Sequence, residues 1–220
     1  MTTLYVPARF NGPPDSGNGG YVAGLLAETR DEEIVTVVLR NPPPLETPLR
    51  VEGGDLFDGE SLIARAAGGV FERAVPAPVS RATAAAVSWE PNDSELFGRC
   101  FVCGSLRTDG LRIESGPVGD GVVAAPWTPD GTVPIGLPLL WAAMDCPGAW
   151  TIPELLARPA VLGSMTATVL DHPAPGEPCV VVGALHAEEG RKVRTATALY
   201  GGDNRLLSRS EQVWIRLAAN

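Results

Sequence analysis

The residue best suited to chemistry in this sequence is an aspartate inside an apolar segment. Asp145 follows Trp141 by one helical turn, in a stretch at 137–150 composed mainly of apolar residues. This composition predicts a helix surrounded by protein, with the carboxylate in the interior or in a cleft wall. Burial raises the pKa of a carboxyl group, and perturbed carboxylates in clefts are candidate general bases. An equal alternative is a structural role, as a cap or an acceptor of backbone N–H groups near Pro147.

A second candidate lies at the start of an earlier apolar segment. Asn18, Gly19 and Gly20 precede Tyr21 and a run of apolar residues at helical spacing, with Asn18 or Ser16 suited to cap the helix. Amide N–H groups at a helix N-terminus favour negative charge, and glycine lets a ligand approach the main chain. These residues are therefore candidate binders of the oxyanion that forms in acyl transfer. The alternative is a plain glycine-rich loop that enters a helix.

The cysteines suggest a third kind of chemistry. Cys100 and Cys103 have the spacing of half a zinc site or of a thiol–disulfide redox pair. Cys146 and Cys179 stand alone in the sequence, and the two histidines show no ligand spacing. Redox pairs of this spacing usually open a helix in a βαβ unit, whereas this pair precedes a glycine and a predicted strand. We favour a structural turn of packed thiols and predict no metal site.

The elements that would position these residues occur in two similar sets. In each set a helical apolar segment (20–29 and 137–150) precedes a run of strand-like segments with a proline-rich turn. The strand-like segments lie at 36–44, 49–51 and 61–75, and again at 166–175, 179–182, 193–200 and 206–217. A helix followed by antiparallel strands, present twice, predicts a fused pseudo-dimer with a ligand-binding cleft between its halves.

Loop-forming residues in the sequence predict where the two halves begin and end. We expect an N-terminal half over residues 1–88, a linker over 89–99 and a C-terminal half over 100–220, because 89–98 is rich in Pro, Asn, Asp and Ser. The C-terminal half should open with a short strand at 111–113. The alanine-rich stretch at 81–87 fits either a strand or a short helix.

Composition limits the class of protein. The chain has 220 residues, enough for one large domain or two small ones, and 45% of its residues are hydrophobic. A net charge of -9 argues against a nucleic-acid partner. No apolar run is long enough for a membrane span, and the N-terminus lacks a signal-peptide pattern. We therefore expect a cytoplasmic protein with no membrane partner.

Several of these segments resemble a known family. Cys100-Phe-Val-Cys-Gly104, followed by Gly110-Leu-Arg-Ile113, is similar to the opening segment of hotdog thioesterases of the phenylacetic-acid degradation type. Residues 141–150 resemble the central helix of that group, and residues 18–27 resemble the first-half helix of double-hotdog acyl-CoA thioesterases. The resemblance covers most of the chain. It implies an α+β fold of two hotdog halves, each a central helix wrapped by an antiparallel sheet.

The resemblance also implies roles for residues. In these thioesterases the helix carboxylate activates water or attacks the thioester, and the oxyanion donors come from the other half. That arrangement pairs Gly19, Gly20 and Tyr21, beside Asn18, with Asp145. Further candidates lie on two later strands. Thr166 or Thr168 is suited to orient the water, and Glu211 or Gln212 falls where the family carries a glutamine. The alignment puts Glu211 on that position, which departs from the family.

Three functions follow from this resemblance. The first is hydrolysis of an acyl-CoA or acyl-carrier thioester, with no cofactor beyond the coenzyme A of the substrate. The second is non-catalytic binding of an acyl group or acyl-CoA. The third, a hydratase or dehydratase, needs a histidine beside a carboxylate, and neither His172 nor His186 lies on a predicted central helix. In each case the partner is a small-molecule acyl thioester, and exposed sheet edges make a homodimer plausible.

Overall fold

The computed structural model of the protein describes residues 2–87 and 91–218. The N-terminal half contains one α-helix, a single 3-10 turn at Ala8–Phe10 and five strands, and a short second α-helix follows it. Their bounds are β1 Thr2–Tyr5, α1 Gly19–Ala27, β2 Val35–Leu39, β3 Pro48–Glu52, β4 Asp55–Asp58, β5 Ser61–Gly68 and α2 Arg81–Ala86. The stretch that fitted either a strand or a helix is thus helical, and the Ser80 hydroxyl caps it by accepting a hydrogen bond from Thr83 N. The predicted boundary at residues 88 and 89 lies outside the described residues.

The C-terminal half contains one long helix and six strands. Their bounds are β6 Gly116–Gly119, β7 Val122–Trp127, α3 Leu137–Ala149, β8 Ala160–Val169, β9 Cys179–Glu189, β10 Lys192–Gly201 and β11 Leu206–Arg216. The prediction of a strand at 111–113 is wrong. The N–H groups of Leu111 and Ile113 donate to the carbonyls of Phe101 and Val102, which ties this irregular segment to the cysteine-bearing loop.

All eleven strands of the described residues form one antiparallel sheet. Its order is β1-β3-β4-β5-β2-β8-β11-β10-β9-β7-β6. The order on the N-terminal side, β1-β3-β4-β5-β2, is matched on the C-terminal side by β7-β9-β10-β11-β8, with β6 added at the outer edge. The two sides join where β2 pairs with β8, from Val35 opposite Ala167 to Val38 opposite Ser164. This topology, with one long helix against each side, confirms the tandem hotdog fold.

The two long helices begin and pack for different reasons. The side chain of Asn18 caps α1 by accepting a hydrogen bond from Tyr21 N at 2.9 Å, which confirms one of the two predicted caps. Helix α3 has no such cap and is apolar on all sides, so it is held by burial. Pro147 lies inside this helix and has no backbone N–H to donate to the preceding turn. On the sheet side, Thr197 Oγ1 and Gln212 Nε2 donate to the Met144 carbonyl.

Helix α1 packs on α3 through glycine. A Cβ atom added at Gly20 would lie 2.8 Å from the Trp141 carbonyl oxygen, and one at Gly24 would lie 2.6 Å from Pro138 Cα. Both glycines are buried and lie one turn apart on the same face of α1. The backbones of the two helices therefore approach closely. Within residues 2–87 and 91–218, no helix is both long enough and apolar enough to cross a bilayer.

Candidate functional site

Asp145 lies where the two halves meet. Its side chain projects from the middle of α3, is 3% exposed, and accepts hydrogen bonds through Oδ2. The donors are Asn18 Nδ2 at 2.8 Å and Gly20 N at 3.1 Å, both at the start of α1. The structure thus brings the acid of one half against the amide-rich helix start of the other.

Close packing explains why glycine occupies position 20. A Cβ atom there would lie 2.6 Å from Asp145 Cβ, which leaves no room for any larger residue. Only a bare backbone lets the Gly20 amide reach the carboxylate. Gly19, one residue earlier, lies beside Leu162 and forms part of a cavity wall.

The three amides at this helix start differ in what they can still bind. Gly20 N–H donates to Asp145, and Tyr21 N–H donates to the side chain of Asn18. Among the hydrogen bonds of the described residues, none involves the N–H of Gly19. A first-turn helix amide has no intrahelical partner, so Gly19 is the donor that remains for a ligand.

The electrostatics of Asp145 favour proton exchange near neutral pH. Burial raises the pKa of this carboxyl group to about 7, against the lowering effect of the Gly20 amide; Cys100 adds to the rise and Asn18 opposes it. Its second oxygen, Oδ1, is buried and has no hydrogen-bond partner among the described residues. One oxygen is therefore held in place while the other stays available as a proton acceptor.

A cavity of about 330 Å³ opens beside this carboxylate. Asn18, Gly19 and Asp145 form part of its wall. Most of the remaining wall is apolar. It comes from α3, β8, β11 and the α3–β8 loop, together with β2 and the segment before the cysteine turn: Leu39, Phe97, Ala149, Trp150, Leu155, Leu156, Leu162, Trp214 and Ile215. Trp150 lines the space without filling it, and Trp141 is buried in the core, so an apolar group has room next to the acid.

Tyr21 does not line this cavity, and its N–H, expected as an oxyanion donor, donates to the Asn18 side chain instead. Its ring stacks on Phe10, with centroids 4.0 Å apart, and meets Phe101 edge-on. Burial, together with the nearby Glu28 carboxylate, raises the pKa of its hydroxyl to about 12. Tyr21 therefore anchors the helix start by aromatic packing.

Thr166 and Glu211 are not brought to the site either. Thr166 Oγ1 lies 2.8 Å from Thr36 Oγ1, across the β2–β8 junction. Glu211 accepts hydrogen bonds from the N–H groups of Glu72 and Arg73, at 3.0 and 2.6 Å. Successive side chains of a strand point to opposite faces, and these two occupy the face of the sheet away from α3.

Gln212 is the residue of β11 that faces the helix. It is 2% exposed, and its Nε2 donates to the carbonyls of Met144 at 2.7 Å and Asp145 at 3.3 Å. Its Oε1 accepts a hydrogen bond from Thr195. Gln212 therefore positions the part of α3 that carries the acid. The alignment chose its neighbour, and a shift of one residue reverses the face of a strand.

Three cysteines, which we call the thiol cluster, lie in the wall of the same cavity. The Sγ atoms of Cys100, Cys103 and Cys146 all lie within 4.8 Å of one another, and all three residues are buried. Cys146 stands alone in the sequence, and α3 carries it to the Cys100–Cys103 turn. Cys179, the fourth cysteine, lies in β9 and donates to the Glu177 carbonyl.

Solved hotdog structures resemble the whole chain. A conserved protein of unknown function with a hot dog fold from Alicyclobacillus acidocaldarius has a TM-score of 0.64 at 13% identity, covering 99% of this chain and 93% of its own. A tesB protein from Mycobacterium avium subspecies paratuberculosis has a TM-score of 0.63 at 13% identity, covering 98% and 91%. An acyl-CoA thioesterase II from Mycobacterium marinum has a TM-score of 0.64 at 10% identity, covering 99% and 93%.

No protein-family model matches the sequence, and no curated protein matches it either. Likeness at these identities establishes a fold and leaves chemistry to the site. Together with the strand order, it shows that this chain is a tandem hotdog.

Proposed function

We propose that the protein is a thioesterase-like hydrolase that cleaves an acyl-CoA or acyl-carrier thioester. The observation that carries the proposal is the position of Asp145. It is buried, one of its oxygens has no partner, and it lies beside an apolar cavity. The names of the Mycobacterium structures, a tesB protein and an acyl-CoA thioesterase II, agree with this class of reaction.

The proposed step uses groups from both halves. The acyl group occupies the apolar cavity, and the Gly19 amide donates to the thioester carbonyl oxygen. Asp145 takes a proton from a water molecule, whose oxygen attacks the carbonyl carbon. The C–S bond then breaks, and the departing thiolate receives the proton from Asp145. The products are a carboxylic acid and a free thiol, and no further cofactor is needed.

Replacement of the acid tests this role. We expect Asp145→Asn to abolish hydrolysis of benzoyl-, phenylacetyl- and medium-chain acyl-CoA, measured by chromatography of the released coenzyme A. The control is Asp171→Asn, which makes the same chemical change at an exposed residue and should leave turnover unaltered. Full turnover by Asp145→Asn would place the base elsewhere.

A second function, acyl or acyl-CoA binding without catalysis, is favoured by one observation. Asn18 Nδ2 and Gly20 N both donate to Asp145 Oδ2, and two such donors on one oxygen are also typical of a structural carboxylate. Saturable binding of acyl-CoA with no turnover of any thioester by the parent protein would select this function. A hydratase is disfavoured, because neither His172 nor His186 lines the cavity.

A further inference from the structure

The thiol cluster has the dimensions of a metal site. The Sγ atoms of Cys100 and Cys146 are 3.7 Å apart, and all three sulfurs lie within 4.8 Å of one another. Zinc bound tetrahedrally to thiolates has Zn–S bonds of about 2.3 Å, which places neighbouring sulfurs about 3.8 Å apart. The triangle of sulfurs therefore matches one face of such a tetrahedron with little adjustment.

The cysteine turn is built to keep the first two sulfurs on the same side. Gly104 N donates to the Cys100 carbonyl at 2.9 Å and closes the turn. A Cβ atom at Gly104 would lie 2.5 Å from Cys100 N, so only glycine permits this tight return of the chain. The third sulfur comes from α3, a rigid element of the opposite side of the site.

Amide donors surround the sulfurs. Asn92 Nδ2 lies 3.3 Å from Cys103 Sγ, and Asn18 Nδ2 lies 3.9 Å from Cys100 Sγ. N–H groups aimed at sulfur stabilise a thiolate more than a neutral thiol, and such outer donors orient the ligands of metal sites. A cluster of inert packed thiols needs no donors of this kind.

The three sulfurs lie beside the cavity, which leaves room for a further ligand. All three cysteines line the cavity described above, and no fourth cysteine approaches them, because Cys179 lies in β9. Three protein ligands with one open position distinguish a reactive zinc site from a closed structural one. Sulfur ligands select soft or borderline ions such as Zn²⁺ over Mg²⁺ or Ca²⁺.

We propose that Cys100, Cys103 and Cys146 bind one Zn²⁺ ion, with a water molecule or a cavity ligand in the fourth position. This site lies in the wall of the same cavity as Asp145, but different measurements test the two proposals. A thioesterase without zinc and a zinc protein without thioesterase activity are both possible outcomes, and each decides one proposal alone.

The first test measures metal content on the full chain. The protein is purified without a metal-affinity step, equilibrated with equimolar Zn²⁺, dialysed and analysed by mass spectrometry of its elements. We expect about one zinc per chain for the parent and for the control Cys179→Ser, whose thiol is also buried. We expect loss of the zinc in Cys146→Ser. A metal-free parent, or equal loss in both variants, would overturn the proposal.

A second test needs no variant, so a misfolded Cys146→Ser protein does not leave the question open. The chelated parent protein is reconstituted with Co²⁺ and its absorption spectrum recorded. Tetrahedral thiolate coordination should give intense visible bands and a sulfur-to-cobalt charge-transfer band, both lost when Zn²⁺ is added. Only the weak spectrum of hydrated Co²⁺ would overturn the proposal.

Discussion

The burial of Asp145 has a consequence for stability as well as for reactivity. Its pKa is about 7 in the native state, chiefly because burial disfavours the charged form, whereas an aspartate in an unfolded chain has a pKa near 4. Between these two pH values the native state binds a proton that the unfolded state has lost. The stability contributed by this residue therefore falls as the pH rises from about 4 to about 7, and stays low above that.

Asp145→Asn should remove this penalty, because the amide is neutral and keeps an oxygen for Asn18 and Gly20. We expect the variant to exceed the parent in free energy of unfolding by about 2–4 kcal/mol at pH 8, and to equal it at pH 4. Urea unfolding at the two pH values checks this, on chelator-treated protein so that no metal contributes. A variant that is less stable at pH 8 would show that the native carboxylate is not strained by burial.

At the residue scale, the sequence predicted those parts of the site that depend on local pattern. Asp145 stood out because it interrupts an apolar helix, and Asn18 because it is a residue type that caps helices and directly precedes the helix of the first half. Cys146 was missed, since its contact with Cys100 spans 46 positions and no spacing rule reports it. Glu211 was preferred to Gln212 because an alignment cannot fix the facing of a strand to within one residue.

At the scale of elements, the contact between α1 and α3 decides the geometry of the site. Gly20 and Gly24 present bare backbone to α3, so the start of one helix reaches the middle of the other. Intrinsic helix propensity alone would favour alanine over glycine at both positions, by about 1 kcal/mol each. Close packing against α3, and not helix propensity, therefore explains why both positions are glycine.

Gly24→Ala separates packing from propensity. Its Cβ atom would lie 2.6 Å from Pro138 Cα, a backbone atom that cannot move aside. We expect a net loss of about 1–3 kcal/mol in the free energy of unfolding, the usual cost of overpacking. The control is Gly68→Ala in β5, where the nearest atom to the new Cβ is Glu32 Cγ at 3.5 Å. Thermal unfolding of both variants measures the difference, and a stabilised Gly24→Ala would contradict close packing.

The sequence predicted long elements better than short ones. The segments expected to be helical at 20–29 and 137–150 became α1 and α3 with ends within two residues, because apolar composition persists over several turns. The stretch at 111–113 has strand composition, yet its N–H groups bind the loop around Phe101 and Val102. Tertiary contacts of that kind override a three-residue propensity.

At the scale of the molecule, neither half closes its own sheet. Strand β2 pairs with β5 on one side and β8 on the other, so separating the halves would expose two strand edges. It would also uncover the faces on which α1 and α3 pack together. Exposed edges and apolar helix faces are both costly in water. The tandem arrangement is therefore expected to unfold as one unit.

Two spectroscopic signals can test whether the two halves unfold together. Four of the five tryptophans, Trp127, Trp141, Trp150 and Trp214, lie in elements or loops of the C-terminal half, and none precedes residue 89. Tryptophan fluorescence therefore reports mainly on the C-terminal half, while far-ultraviolet circular dichroism reports on both halves. We expect the two urea transitions to coincide, with one midpoint. Val37→Ala, at a fully buried position of β2, should lower both midpoints equally, although it lies in the half without tryptophan. A circular dichroism change that precedes the fluorescence change would show that the N-terminal half unfolds alone.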